Sequence, residues 1–215
     1  MEPVITLPWS TWAVIIVNPH IFTTKAMSTG SLSVTVGCMF AGKSTLAVST
    51  VRRWRSLDKN VLVLKHARDT RYGENTSMFT HDTPIAPVDC QPVEVLMPVL
   101  EERNFQKAQV VVIEEAQFFP DLYDFCLAAC DVHGKQVYVF GLDGMATREP
   151  FGQMCQLCPI ADSFVKIGAL CQMCKDGTKA AFTVALRTIP ESGVLIGGGE
   201  SYAAVCRRHY LLHQS

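Results

Sequence analysis

Gly37-Cys38-Met39-Phe40-Ala41-Gly42-Lys43-Ser44 spells GxxxxGKS, and its flanks make it the most constraining stretch of the chain. An apolar run, Ser31 to Val36, leads in as a strand. A helix leads out from Thr45 to about Leu57, with Leu46, Thr50, Trp54 and Leu57 on one stripe. A glycine-rich loop between a strand and a helix lets successive backbone N–H groups converge on a phosphate. The helix N-terminus adds the positive end of its dipole. Residues 37 to 45 are therefore the candidate phosphate-binding set, Thr45 closing it. Lys43 is placed to reach β- and γ-phosphates, and the Ser44 hydroxyl to ligate Mg²⁺. The plainer reading is a Gly-rich turn with an exposed Lys, which does not account for the agreement of motif, strand and helix.

Downstream, buried-strand runs alternate with helical stretches. Asn60 to Lys65, Gln109 to Ile113 and Gln136 to Leu142 read as strands. Val93 to Arg103 reads as a helix interrupted by Pro98, and Pro120 to His133 as a helix closed by Gly134. This order predicts an α/β fold, a P-loop NTPase-type parallel sheet flanked by helices. A hydrophobic fraction of 48% supplies its core. The alternation ends near Asp143, where Gly and Cys become frequent. The expected division is an extension over residues 1–30, an ATP-binding α/β domain over 31–152, and a small zinc-stapled unit over 153–215.

Charge narrows the function. The chain carries 19 basic and 20 acidic residues, a net charge of −1. That balance lacks the basic stripe of a nucleic-acid or anionic-membrane binder. Arg52, Arg53 and Arg55 read as the solvated last turn of the loop's helix. Trp9 to Val17 is too short to span a bilayer. No partner among nucleic acids or membranes is expected, and a cytoplasmic location is.

Two further clusters carry chemistry. An apolar strand ends in Glu114-Glu115, the Walker B arrangement, at the sheet edge where open α/β folds bind ligands. One carboxylate can hold the Mg²⁺ shell and the other can accept a proton from a nucleophile. Alone, the two acids could equally begin a solvated helix. Cys171-x-x-Cys174 and Cys206-x-x-His209 are two ligand knuckles whose three thiolates and one imidazole close a tetrahedral, structural zinc shell. Nine cysteines in an ATP-using chain favour metal ligands and free thiols over disulfides. Cys155-x-x-Cys158 is a rival pair, read as packing thiols.

The run Gly37 to Ser44 is followed by Asp69-Thr70-Arg71-Tyr72, Thr80-His81-Asp82 and Glu115-Ala116-Gln117-Phe118-Phe119. Leu142-Asp143-Gly144, Pro150-Phe151-Gly152, Ala180-Ala181-Phe182-Thr183 and Ile196-Gly197-Gly198 come next, the last between the two Cys knuckles. Together these closely resemble the cytosolic-type (type II) thymidine kinases, over about residues 31 to 210. The resemblance implies transfer of the ATP γ-phosphate to the 5′-hydroxyl of thymidine or deoxyuridine. It implies Mg²⁺, a structural Zn²⁺, a lasso that closes over the nucleoside, a homotetramer, and dTTP as feedback inhibitor. By position it makes Glu115 the catalytic base, and Asp69 and Glu114 magnesium-site residues with Ser44. Arg71 becomes a phosphate contact. Met39, Phe118, Leu142, Phe151, Thr183, Ile196, Gly197, Gly198 and Tyr202 become the nucleoside pocket. His81 reads as a structural hydrogen-bonder. Three positions depart from the family pattern: Glu114 stands for the usual Asp, Cys38 for the usual Pro, and Ala146 for an aromatic beside the base. The alternative function is another P-loop ATPase with a zinc module.

Overall fold

The computed structural model describes residues 30–67, 77–78, 88–188 and 197–214. Its centre is a six-stranded sheet, every strand pair parallel. The first strand, β1 (Ser31–Gly37), alternates as a half-buried strand does, with Leu32, Val34 and Val36 pointing into one core. Helix α1 (Lys43–Arg55) follows the glycine loop, and β2 (Val61–His66) returns the chain to the sheet. Two short strands, β3 (Ser77–Met78) and β4 (Val88–Asp89), pair with each other. Then come β5 (Gln91–Val93), α2 (Arg103–Lys107) and β6 (Val110–Glu114). Helix α3 (Leu122–Leu127) runs on into a π-helical turn and leads to β7 (Gln136–Gly141). The last strand of the sheet is β8 (Ser163–Ile167), and the strand order is β5-β2-β6-β7-β1-β8.

Both faces of the sheet are covered, as parallel strands require. Every residue of β6 is buried. Val111 and Ile113 join Leu32, Val34, Phe105, Phe119, Phe125 and Val137 on one face. Val110 and Val112 meet Ala47, Val48 and Val51 of α1 on the other.

Three expectations change. The buried face of α1 is Ala47, Val48 and Val51, while Leu46 and Leu57 of the expected stripe are 44% and 63% exposed. The sheet needs only small side chains where α1 lies against it. The expected helix from Val93 to Arg103 is instead the end of β5, a 3₁₀ turn at Met97–Glu101 around Pro98, and α2. Pro98 cannot supply the amide that a continuous helix needs at that point. Finally, the alternation does not end at Leu142, because β8 adds a strand beyond β1. It is an edge strand with exposed Ser163, Val165 and Lys166, so it lacks the apolar signature of the others.

The Cys-rich segment follows β8 and folds against the loop that leaves β1, as two small antiparallel ladders and a helix. Strands β9 (Ala169–Leu170) and β10 (Lys179–Ala180) pair, as do β11 (Phe182–Ala185) and β12 (Tyr202–Val205). Helix α4 (Arg207–Gln214) closes the unit. Its separate core is built from small residues, Ala169, Ala180, Val184, Ala203, Ala204 and Val205, with Tyr210. No helix among the described residues is long and apolar enough to cross a membrane.

Candidate active site

The phosphate loop, the Glu114-Glu115 turn and the Leu142–Phe151 loop all leave the sheet at its C-terminal edge, where β1, β6 and β7 end. Two loop residues take left-handed backbone conformations, Phe40 at φ 62 and Gly42 at φ 84. Glycine adopts that conformation without steric cost. The Lys43 ammonium folds over the loop and donates to the carbonyls of Gly37 (3.2 Å) and Cys38 (2.7 Å). Desolvation holds its pKa below the ordinary lysine value, and the nearby carboxylates of Glu115, Glu114 and Asp143 offset only part of that. Ser44 donates its hydroxyl proton to the Glu114 carboxylate. That contact joins the first residue pair expected to share a metal, and Glu at 114 reaches Ser44 in place of the shorter Asp.

Glu115 sits next in the chain with φ 52 and ψ 41, again left-handed. For a non-glycine residue this conformation costs roughly 1–2 kcal/mol. It turns the chain sharply, so that Glu115 is half-buried while Glu114 and Ala116 are buried. Two residues on, Gln117 is 3% exposed and donates to Glu115 Oε2 across 2.5 Å. Its carbonyl oxygen accepts the Leu142 N–H across 3.0 Å. Phe118 stands edge-on to Phe151 at 5.4 Å, while Phe119 is core. The family resemblance singles out Phe118 and not Phe119 for the pocket, but no sequence signal marks the part played by Gln117. His66, at the end of β2, packs against both Phe118 and Phe119.

The Cys-rich unit reaches this edge at three points. The Met39 N–H donates to the Thr183 hydroxyl across 3.0 Å. A Cβ built on Gly199 would lie 4.0 Å from the Phe40 ring, so the glycine segment before β12 lies against the phosphate loop. The Gly198 carbonyl accepts the N–H groups of Ser201 and Tyr202, both 3.0 Å, which folds Gly197 and Gly198 back toward β12. The third contact is the Leu142–Phe151 loop, where the Ala146 carbonyl accepts the Tyr210 hydroxyl of α4. It is cross-braced by Phe151 N–H to Asp143 and by Met145 N–H to Glu149, and Asp143 is paired with Lys166 of β8 at 2.5 Å. A cavity of about 180 Å³ opens between this loop, Cys38, Phe182 and Thr183, with Met145 and Arg148 on its wall.

Of the expected site residues, the structure brings Gly37 to Thr45, Glu114, Glu115, Phe118, Leu142, Phe151 and Thr183 to this edge, while Gly197 and Gly198 precede Gly199, whose Cβ position is 4.0 Å from the Phe40 ring, and Tyr202 opens β12. Asp69, Arg71, Tyr72, His81 and Ile196 lie outside the described residues, as does the segment 1–29.

The four expected zinc ligands come together. Cys171, Cys174, Cys206 and His209 place their ligand atoms within 4.8 Å of one another. Cys174 and Cys206 Sγ are 3.8 Å apart, and His209 Nδ1 lies 3.3 to 3.6 Å from the three sulfurs. A tetrahedron with Zn–S bonds near 2.3 Å has edges of about 3.8 Å, so the donor set fits zinc. Burial acts to raise the Cys171 thiol, yet N–H groups of Cys206, Cys174 and Met173 outweigh it and hold its pKa below the ordinary thiol range. The rival pair corrects a different expectation. Cys155 and Cys158 are exposed rather than packed, and Cys155 Sγ rests against the Asp143 carbonyl at 3.4 Å. They lie on an irregular 3₁₀ stretch, Met154–Ile160, that buries Met154 and Leu157 instead.

The family model described as thymidine kinase matches residues 30–210. The thymidine kinase of Oryza sativa subsp. japonica is 41% identical over 184 residues, covering 85% of this chain and 66% of that protein. The cytosolic thymidine kinase of Homo sapiens is 41% identical over 181 residues, 84% of this chain and 73% of that protein. The thymidine kinase of Myxoma virus is 36% identical over 187 residues, 86% of this chain and 98% of that protein. The chain thus spans about two thirds of the rice protein and nearly all of the viral one. Among solved structures, a Bacteroides Pif1 bound to ssDNA aligns with a TM-score of 0.33 at 15% identity, over 65% of this chain and 38% of that chain, too distant to carry an argument. With the phosphate loop, the paired acids and the Cys/His cluster inside one matched span, the chain belongs to the thymidine kinase family.

Proposed function

We infer that this chain transfers the γ-phosphate of ATP to the 5′-hydroxyl of thymidine, and of deoxyuridine, giving the nucleoside monophosphate for deoxynucleotide salvage. The observation that carries the reading is the Ser44–Glu114 hydrogen bond with Glu115 next in the chain. It sets the phosphate loop and the candidate base side by side. The loop's N–H groups and Lys43 hold the triphosphate, with Arg71 as a further phosphate contact. Glu115 takes the 5′-hydroxyl proton as that oxygen attacks the γ-phosphorus and ADP leaves. Ser44, Glu114 and Asp69 are the residues that would hold Mg²⁺, which neutralises phosphate charge. Met39, Phe118, Leu142, Phe151, Thr183 and Tyr202 form the walls around the base, and the stretch Ile196 to Gly198 supplies backbone groups that read its edge.

The Cys171, Cys174, Cys206 and His209 cluster holds a structural zinc that ties the ends of the lasso. In this reading residues 31–152 form the ATP-binding domain and residues 153–215 the zinc-bearing unit, whose first strand, β8, pairs with β1 of the sheet. A homotetramer, dTTP as feedback inhibitor and a cytoplasmic location carry over from the family resemblance.

The test is a coupled assay of ATP consumption with and without thymidine, on the wild type and on Glu115→Gln. Thymidine-dependent turnover is expected, falling by roughly 10²–10⁴-fold in the variant while ATP still binds. Turnover that ignores thymidine would return the chain to the class of other P-loop ATPases. Near wild-type turnover in Glu115→Gln would remove Glu115 as the base.

A further inference from the structure

Gln117 is a buried polar side chain at this edge that no motif assigns to phosphate, metal or nucleoside. Both ends of its amide are used. Nε2 donates to Glu115 Oε2 at 2.5 Å, and Oε1 accepts the Leu142 N–H at 3.0 Å. The orientation is fixed by its partners, because a flipped amide would set oxygen against carboxylate and NH₂ against N–H. The space around it is cut to fit. Gly152 has φ +54, and a Cβ there would meet the backbone carbonyl oxygen of Gln117 at 2.2 Å, so it makes room for the main chain that carries the amide. A Cβ on Gly141 would meet Gln117 Oε1 at 2.7 Å and Met154 Sδ at 2.9 Å. Two glycines on two other segments therefore leave room for this one residue.

We propose that Gln117 is a positioning residue for phosphoryl transfer, holding the Glu115 carboxylate in one orientation and in register with the Leu142 wall of the nucleoside pocket. The proposal rests on the reading of Glu115 as base. Glu115 lies on a sharp left-handed turn with its side chain half-buried, and a carboxylate there can swing about its own torsions. The amide donor removes that freedom, and its other end is anchored to backbone rather than to a mobile side chain. A displacement of the base by about 1 Å can cost on the order of 10²-fold in rate. Because Leu142 follows β7 and Glu115 follows β6, the same amide also locks together the ends of two adjacent strands.

The test is a mutant cycle in the full-length protein, with steady-state kinetics for both substrates. Gln117→Met keeps the length of the side chain and removes both hydrogen bonds. Gln117→Glu keeps the shape and the acceptor for Leu142 but replaces the donor with a carboxyl oxygen that repels the Glu115 carboxylate, so it serves as a second disruption of the same contact if the Met variant does not fold. Either is expected to lower kcat by about 10²-fold, with KM for ATP and for thymidine within about threefold of wild type. In a Glu115→Ala background the same substitution is expected to cost nothing further, since a residue acting through Glu115 has nothing left to act on. Wild-type kcat in both Gln117 variants overturns the proposal, and so does an equal loss with and without the Glu115 side chain. Near wild-type turnover in Glu115→Ala itself overturns the base assignment, which separates that failure from failure of the Gln117 role.

Discussion

The Tyr210 hydroxyl donates to the carbonyl of Ala146 across 2.7 Å, a hydrogen bond between helix α4, which also carries His209, and the tip of the Leu142–Phe151 loop. Tyr210 is 2% exposed, and the Arg148 guanidinium covers its ring at 4.4 Å. The loop tip carries the small side chain of Ala146, so its placement depends on backbone contacts of this kind. Tyr210→Phe keeps the ring, the core and the cation contact, and removes one hydrogen bond of about 1 kcal/mol. The expected result is a thymidine KM raised about fivefold, with zinc content, kcat and ATP KM unchanged. An unchanged thymidine KM would show that the loop holds its shape without the zinc unit.

Cys38 behaves unlike the reactive thiol that a helix N-terminus beside Lys43 suggests. It is 3% exposed, with Sγ 3.6 Å from the Ala180 carbonyl. Burial raises its pKa, and Lys43 and the Ala169 backbone offset only part of that. A raised pKa leaves little thiolate at neutral pH, so alkylation there is expected only as pH climbs above the ordinary thiol range. Mass mapping after mild alkylation at pH 7 is expected to find the exposed Cys158 modified before Cys38, with the exposed Cys155, whose thiol partial burial and Asp143 push up, behind Cys158. Cys38→Ser is expected to leave the inactivation rate unchanged, and a slowed rate would restore Cys38 as the sensitive site.

Lys135 is a buried ammonium far from the chemistry, at the N-terminal end of β7. It donates to the carbonyls of Ala108 (2.7 Å) and Gln106 (3.2 Å) and lies 4.9 Å from the Phe105 ring centroid. Lys135→Met leaves those carbonyls without their donor, at a cost of about 1–3 kcal/mol. For a chain of this size that is a Tm lower by about 2–4 °C per kcal/mol. Turnover at 25 °C is expected to stay at the wild-type level, because the catalytic edge is at the other end of the strands. Loss of turnover without loss of Tm would contradict this division of labour.

The phosphate loop, the acid-ended strand and the Cys/His knuckles were legible because each is a short local pattern whose chemistry dictates its spacing. Strands β2, β6 and β7 were legible as apolar runs. What escaped is non-local. β8 is an exposed edge strand, and only its pairing with β1 makes it part of the sheet. The buried face of α1 was misassigned because Leu46 and Leu57 are large, whereas the sheet takes Ala47, Val48 and Val51. Gln117 looked like one more residue of a motif. Its role depends on Leu142, Gly141 and Gly152, which reach it only in three dimensions. Phe118 and Phe119 are adjacent in sequence, yet one is half-buried against Phe151 and the other is 1% exposed.

Zinc removal is expected to separate the two halves of the site. The unit that carries Thr183 and Tyr202 has strands of only two to four residues and a core mostly of Ala and Val. So little apolar area cannot hold it together alone, whereas a structural zinc contributes on the order of 10 kcal/mol in isolated zinc peptides. The six-stranded sheet has a large aromatic core of its own and does not depend on the ion. Cys206→Ser removes a ligand and the thiol that faces Cys174 at 3.8 Å, and the Cys206 N–H that bonds Cys171 Sγ is then held less firmly. The expected outcome is one zinc per chain by elemental analysis in the wild type and little in the variant. Thymidine binding is expected to fall by at least about tenfold while ATP binding stays within about threefold, because Lys43 and Ser44 are carried by α1 and not by the zinc unit. Cys155→Ser is expected to keep its zinc. A metal-free protein with full thymidine binding would show that the cluster's side chains hold the unit without an ion, and equal loss of both ligands would show that the sheet depends on the zinc unit after all.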